Sequence, residues 1–350
     1  MRSMTKALNP IGALLDAVVS QSGSDLHLSG GNVPLVRIDG ELLALEGAAK
    51  TNEKSLIEWV HSLLTENRAE RLEEFGDVDF SFETEEGYRF RGSAYRERGN
   101  FSVALRHLRD EIPTFDEIEL PEKPREWVKN QTGLVIVTGP TGSGKSTTIA
   151  SMVNAAHQSR NLHIVTIEDP IEYILPPGRG AVRHREIGID TPTFPRAIRA
   201  ALREDADVLV IGEMRDQETI SAAITVAETG HLVFATLHTS GAAQAVDRIV
   251  DAFDSSAQPL VRSRLSACLV GVIYQRLLKT TSSGRTAAFE VLVNTHGIRN
   301  LIREGKTHQI PNTMITNRAE GMQTMENALK HLAAVGKITQ DQVTSFLNQN

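Results

Sequence analysis

Residues 139–146 read Gly-Pro-Thr-Gly-Ser-Gly-Lys-Ser and follow the apolar run Leu134-Val135-Ile136-Val137. No other feature constrains the fold as strongly. A buried strand enters a glycine-rich turn, and the helix-compatible stretch Thr147-Thr148-Ile149-Ala150-Ser151-Met152 leaves it. Gly139, Gly142 and Gly144 let the backbone curl until its N–H groups point at phosphate oxygens. The helix adds its positive N-terminal end. In this pattern Lys145 reaches the β- and γ-phosphates and the Ser146 hydroxyl ligates Mg²⁺. The phosphate-contacting set is therefore Gly139, Pro140, Thr141, Gly142, Ser143, Gly144, Lys145, Ser146 and Thr147. The chain is expected to bind ATP with Mg²⁺.

A length of 350 residues allows two or three domains, and 40% hydrophobic residues with only 5% aromatics imply mostly aliphatic cores. A net charge of −7 argues against broad nonspecific nucleic-acid binding, so no stable nucleic-acid partner is expected. The single Cys268 excludes an internal disulfide and a cysteine-held zinc. Met1-Arg2-Ser3-Met4-Thr5-Lys6 opens no secretory signal, because Ile11–Val19 is amphipathic and carries Asp16. No run approaches the roughly eighteen apolar residues of a membrane span. A cytoplasmic chain is expected.

The first hundred residues pattern as an α+β domain. Ile11, Leu14, Leu15, Val18 and Val19 recur at helical spacing, and Ile57 to Leu72 reads as a second amphipathic helix. Asp25–Leu28, Pro34–Ile38, Asp77–Phe82, Tyr88–Arg96 and Phe101–Leu108 read as strands, with a turn at Asp39-Gly40. Residues 109–124 hold three prolines and six acids, which predicts a linker and a hinge around Glu111–Leu120. The expected division is 1–108, linker 109–124, and 125–350. Four apolar strands follow: Leu134–Thr138, His163–Ile167, Val208–Ile211 and Leu232–Thr236. The gaps between them admit crossover helices, so the sheet should be mainly parallel with helices on both faces. From about 255 to 350 the pattern reads as nearly all helical, ending in a pair around Met325–Ala334 and Gln340–Leu347.

Nucleotide hydrolysis needs carboxylates and positive charge beside the phosphate cradle. Glu168 and Asp169 end the second of these strands, where a parallel sheet opens its ligand crevice. The third ends in Gly212-Glu213-Met214-Arg215-Asp216. An acid normally follows the last apolar residue directly; here Gly212 takes that place and Glu213 carries the charge. Glu213 could bind Mg²⁺ directly, bind it through water, or polarise the attacking water. His231 and His238 flank the fourth strand, some 23 Å apart, too far to share one metal. His238 lies at the crevice end.

Together these motifs resemble the secretion and type IV pilus motor ATPases, over nearly the whole chain. Gly139–Ser146 matches that family's Walker A, and Thr166–Glu172 its aspartate box. Gly212–Asp216 matches its atypical Walker B, and Gly230–His238 its histidine box. Ser24–Ser29 is similar to the opening of the pilus members. The resemblance implies a PAS-like N-terminal α+β domain, a RecA-like P-loop ATPase domain with a helical C-terminal part, and a homohexamer. Residues 298–304, Ile-Arg-Asn-Leu-Ile-Arg-Glu, match seven of eight residues of the pilus-retraction (PilT-type) signature, with Gly297 at the first position.

The catalytic set this implies is Glu213, Glu168, His238, Arg89, Arg91 and Arg106, with Ser146 and Glu213 toward the metal. The three arginines match those by which the N-terminal domain approaches nucleotide, often across a subunit boundary. Arg203, Glu204 and Asp207 match another family segment, in which Arg203 is either interfacial or structural. The implied partner is a pilus platform protein at the inner face of the cytoplasmic membrane, the work pilus retraction in twitching motility. An auxiliary, assembly or secretion motor, a nucleic-acid translocase and a non-hydrolysing regulatory module are the rival readings. Residues 298–304 are expected to couple hydrolysis to work, with Arg299 and Glu304 on an exposed face.

Overall fold

The computed structural model describes residues 10–38, 40–108 and 111–348. The expectations for Met1–Lys6, for Asp39 in its turn and for Arg109 and Asp110 fall outside them. The described chain forms two compact units.

The first unit runs up to Glu111 and includes Pro170–Tyr173. Its strands are β1 (Asp25–Ser29), β2 (Leu35–Ile38), β3 (Glu41–Ala44), β4 (Asp77–Glu83), β5 (Arg89–Glu97) and β6 (Asn100–Leu108). They form one antiparallel sheet in the order β3-β2-β1-β6-β5-β4. Strict alternation sets its faces: in β4, Val78, Phe80 and Phe82 point into the core while Asp77, Asp79 and Glu83 are exposed. Leu26, Leu28, Phe90, Val103 and Leu105 join that core, which the helix Pro10–Ser20 covers with Ile11, Leu15 and Val18.

Two details differ from the sequence pattern. The helix expected over Ile57–Leu72 is two helices, Glu53–Leu63 and Glu66–Phe75, because Leu64 and Thr65 are both extended. Leu56, Trp59 and Val60 on one and Arg68 and Leu72 on the other are buried, so the apolar spacing conceals the break. Strand β3 has every residue exposed and hence no alternation to reveal it.

The second unit comprises Ile112–Asp169 and Ile174–Asn350. Its strands are β7 (Gly133–Thr138), β8 (His163–Glu168), β9 (Ala181–Glu186), β10 (Val208–Ile211), β11 (Leu232–Leu237), β12 (Leu269–Lys279) and β13 (Arg285–Val293). The sheet order is β13-β12-β7-β11-β10-β8-β9, parallel throughout except for the β12–β13 pair. All six residues of β7 are buried. Val135 and Val137 pack to one face with Ile149, Met152 and Phe234. Leu134 and Ile136 pack to the other with Ile198, Ile224, Val246 and Leu265.

The expectation of a helical region over 255–350 is corrected here: β12 and β13 occupy its middle. The run Leu269–Leu278 is apolar almost continuously, as a strand buried on both faces must be. The helices Met325–Ala334 and Gln340–Leu347 do close the chain. Glu290 on β13 accepts hydrogen bonds from the backbone N–H of Ala242 (2.7 Å) and Met325 (3.2 Å), at the starts of two helices. Burial pushes its carboxyl above the usual range against the pull of those two bonds.

The expected linker is also largely structured. Leu120 is 1% exposed, and Phe115 and Ile118 pack on the same core as Trp127. Arg125 holds the segment by bonding Asp116 (2.6 Å) and the Leu120 carbonyl (2.7 Å). Apolar residues interleaved with the acids overcome the composition, so a hinge spanning 111–120 does not fit. The division between units falls at Glu111 and Ile112.

Candidate active site

The phosphate loop joins β7 to the helix Lys145–Ser159. Gly139, Gly142 and Gly144 have φ of 148°, 76° and 87°, which only glycine adopts readily. A Cβ on Gly139 would meet the Gln275 carbonyl at 2.3 Å, and one on Gly144 the Gln275 amide at 2.9 Å. Gln275 is 3% exposed and accepts a 2.7 Å hydrogen bond from the Thr148 hydroxyl. It therefore buttresses both the loop and the helix that follows. Sequence reasoning missed it, although a glutamine within Leu269–Leu278 was the available signal.

Lys145 is 8% exposed and turned into the loop. Its ammonium donates to the carbonyls of Gly139 and Pro140, both at 3.0 Å. It also lies 3.4 Å from His238 Nδ1. The opposite ring nitrogen, Nε2, lies 3.4 Å from Glu213 Oε1. An ammonium only donates and a carboxylate only accepts, so the neutral ring carries its proton on Nε2. Burial and the charge of Lys145 hold the His238 pKa below the ordinary histidine value. Glu213 Oε2 pairs with Arg215 at 2.8 Å. Burial alone would raise the Glu213 carboxyl. The Arg215 hydrogen bond and charge, with His238 and Lys145 behind them, outweigh it and leave Glu213 below the usual range.

Gly212 is required by its neighbours. A Cβ there would press on Glu168 Cα and the Ile167 carbonyl, both at 3.2 Å. Its own carbonyl accepts from the Thr236 hydroxyl. The acid is thereby displaced by one residue, onto Glu213. Glu168 sits beside it and faces His184, Oε1 to Nδ1 at 3.8 Å. His184 in turn contacts Thr166 (2.9 Å) and accepts from the Leu175 N–H. The Glu213 hydrogen bond and charge raise the Arg215 pKa, and the exposed Asp169 adds its charge to theirs. The structure thus gathers Lys145, Ser146, Glu168, Glu213 and His238 at the carboxyl ends of the parallel strands.

His231 does not belong there: it immediately precedes β11, at the other end, and bonds the Val226 carbonyl through Nδ1 at 3.2 Å. Glu204 pairs with Arg185 (2.9 Å), Asp207 accepts from the His163 N–H (2.8 Å), and Arg203 donates to the Arg199 carbonyl. These three are tied into the local fold.

Arg89, Arg91 and Arg106 lie in the first unit and differ from one another. Arg89 is 5% exposed and donates to the carbonyls of Ile171 (2.6 Å) and Glu172 (3.1 Å), so it serves packing. Arg91 faces Arg106 directly across β5 and β6, and Arg106 faces Asp25, which faces Arg37. Asp25 pairs with Arg106 at 2.8 Å and Asp79 with Arg91 at 3.4 Å. The result is a ladder of three arginines across the polar face of the sheet. The Arg106 side chain is 66% exposed.

Residues 298–303 lie on the helix His296–Arg303, whose first turn Thr295 caps, and Glu304 is its C-cap. Ile298 and Ile302 are buried and Glu304 is exposed, as the spacing predicts. Arg299 is not on an exposed face: its Nε is out of contact with solvent.

The cradle fits a nucleotide's phosphates. Besides the three glycines, the Ser143 hydroxyl is buried with no hydrogen-bond partner. The half-buried Ser146 hydroxyl and an ionised Glu213 supply oxygen donors of the kind a hard divalent cation takes.

The chain is similar to known proteins along nearly its whole length. The family model described as Type II/IV secretion system protein matches residues 5–345. The chain is 44% identical over 320 residues to the uncharacterized protein YggR of Escherichia coli, covering 91% of this chain and 97% of that one. It is 42% identical over 328 residues to the type IV pilus retraction ATPase PilT of Pseudomonas aeruginosa, covering 94% and 95%. The crystal structure of the pilus retraction motor PilT with bound ADP superposes with a TM-score of 0.88 at 44% identity, over 97% of this chain and 96% of that one.

Proposed function

This chain belongs to the type II/IV secretion system protein family and is a P-loop ATPase; from that premise we propose that it works as a hexameric, Mg²⁺-dependent motor that retracts a type IV pilus. The observation that carries the chemistry is the connected set Lys145–His238–Glu213–Arg215 at the mouth of a complete phosphate loop. Similarity to a retraction ATPase along nearly the whole chain supports the direction of work.

Ser146 and Glu213 are the residues that would hold Mg²⁺, which when bound would supply positive charge to offset that of the phosphates. Lys145 exchanges the carbonyls of Gly139 and Pro140 for phosphate oxygens. Glu213, kept ionised, orients the attacking water; a carboxyl held this low is a weak proton acceptor, and phosphoryl transfer demands little of one. Glu168, beside it, is the second carboxylate for water. The Nε2–H of His238 bridges Glu213 and the γ-phosphate, so the site registers whether that phosphate is present.

Arg106, exposed, and Arg91, half-buried on the ladder, are the arginines that reach a neighbouring subunit's nucleotide, whereas Arg89 holds its own unit together. No helix among the described residues is long and apolar enough to cross a membrane, and the protein works at the inner membrane face through a platform partner. Deletion should leave cells with more surface pili and no twitching. Complementation with Lys145→Ala should fail to restore it. Loss of all pili on deletion would show an assembly motor instead.

Mixing Arg106→Ala chains with Lys145→Ala chains tests the ring: shared hexamers should regain part of the ATPase rate. A monomer with full activity would refute the arrangement.

A further inference from the structure

At the amino ends of the parallel strands the second unit has a cavity of about 450 Å³, lined by Asn130, Thr132, Glu228, Cys268, Val270 and Arg299 among others. Gly133, where β7 begins, also lines it. From there β7 runs about 17 Å to Thr138 and the phosphate loop, so the cavity is separate from the nucleotide site. Its charges are unevenly satisfied. Glu228 is gripped by Arg264 through two nitrogens, at 2.6 and 2.9 Å. Among the described residues Arg299 makes no side-chain hydrogen bond or ion pair, and its Nε is shielded from water. The Asn130 amide and Thr132 hydroxyl, at the same cavity, also lack hydrogen-bond partners among the described residues. A guanidinium nitrogen withdrawn from solvent without an acceptor is unfavourable, and an oxyanion is the acceptor its planar fork matches best.

We propose that this cavity is an oxyanion site, in which Arg299 binds a carboxylate or phosphate group while Asn130 and Thr132 donate to the same ligand. The volume admits more than a bare ion. The anion therefore comes either from a small phosphorylated or carboxylated molecule or from an acidic side chain of a docked protein segment. The inference does not depend on the motor reading, since it concerns the opposite end of the sheet.

Cys268, the only cysteine in the chain, lines the cavity and reports on it. Burial pushes its thiol up to about 12, so its alkylation is slow and sensitive to occlusion. With ADP saturating the phosphate loop, alkylation by a neutral maleimide is measured against increasing inorganic phosphate, and separately against a short blocked acidic peptide. Protection by phosphate assigns the site to small anions, and protection by the peptide alone to a protein carboxylate; both support an oxyanion site. Arg299→Ala should weaken the protecting ligand about tenfold or more, as loss of a charge-assisted hydrogen bond implies, and Arg299→Lys should weaken it less. ATP hydrolysis and cooperative melting of the variants confirm that they fold. No protection by either probe, or protection that survives Arg299→Ala, overturns the proposal.

Discussion

At the carboxyl end of the parallel sheet, Lys145, His238, Glu213 and Arg215 form an unbroken series of contacts between 2.8 and 3.4 Å. At the amino end of the same sheet, Arg299 borders a cavity with no partner among the described residues. The two ends share a scaffold and differ in how their charge is balanced. At the first, each member of that set already has an acceptor or donor, so binding a nucleotide is an exchange of partners. At the second, binding an anion is a simple addition. An exchange makes the site sensitive to any one member of the set, whereas an addition leaves the fold indifferent to the residue that waits.

The sharpest way to break this contrast is Lys145→Ala. It should lower turnover by about three orders of magnitude while the circular dichroism spectrum is unchanged, because no other described cation is inside the loop to replace it. Near-normal hydrolysis would end the assignment. Glu213→Gln should bind ATP but lose turnover by about a hundredfold or more, which equilibrium binding alongside single-turnover hydrolysis would reveal.

Next comes the buttress. Gln275→Ala leaves the buried Thr148 hydroxyl without its acceptor and should cost about 1–3 kcal/mol in denaturant unfolding, with a higher KM for ATP. If stability fell while KM held, the loop would not depend on β12.

The pH dependence of the exchange is a finer test. The His238 pKa in the fold lies below its unfolded value of 6.5. The stability carried by the neutral ring is therefore complete above 6.5 and is lost as pH falls through the depressed value. Protonation also places a second cation beside Lys145. The acid limb of the rate profile should thus sit below the ordinary histidine range, and His238→Asn should remove it. The smallest effect belongs to the other end: Arg299→Ala removes no hydrogen bond or ion pair seen among the described residues, so it should not destabilise the fold in denaturant unfolding and should leave ATP hydrolysis intact.

Much of the nucleotide end was legible in the sequence, because its parts are local. Strand, glycine turn and helix follow one another from Leu134 to Met152, and the four strands expected from their apolar runs are β7, β8, β10 and β11. What could not be read was long-range. Leu269–Leu278 is apolar without a period, so a doubly buried strand there looks like a buried helix. Gln275 matters only because β12 pairs with β7, more than a hundred residues away in sequence. Arg89, Arg91 and Arg106 read alike as charges on strands. Only packing separates the buried Arg89 from the more accessible Arg91 and Arg106 of the ladder. Arg299 read as solvent-facing for the same reason, since the helix it occupies says nothing about the strand ends beneath it.

The carboxylate of Glu290 has one more consequence, for how this chain comes apart. It serves the first turns of Ala242–Asp251 and Met325–Ala334 together, one oxygen to each. If either helix lifts away, the acid keeps half its acceptors occupied and must bring the other half into water. The two helices, whose first residues Ala242 and Met325 are 83 positions apart, should therefore open as one cooperative block. The amides of Ala242 and Met325 should exchange with solvent deuterium at a common opening free energy, and Glu290→Ala should split that value in two.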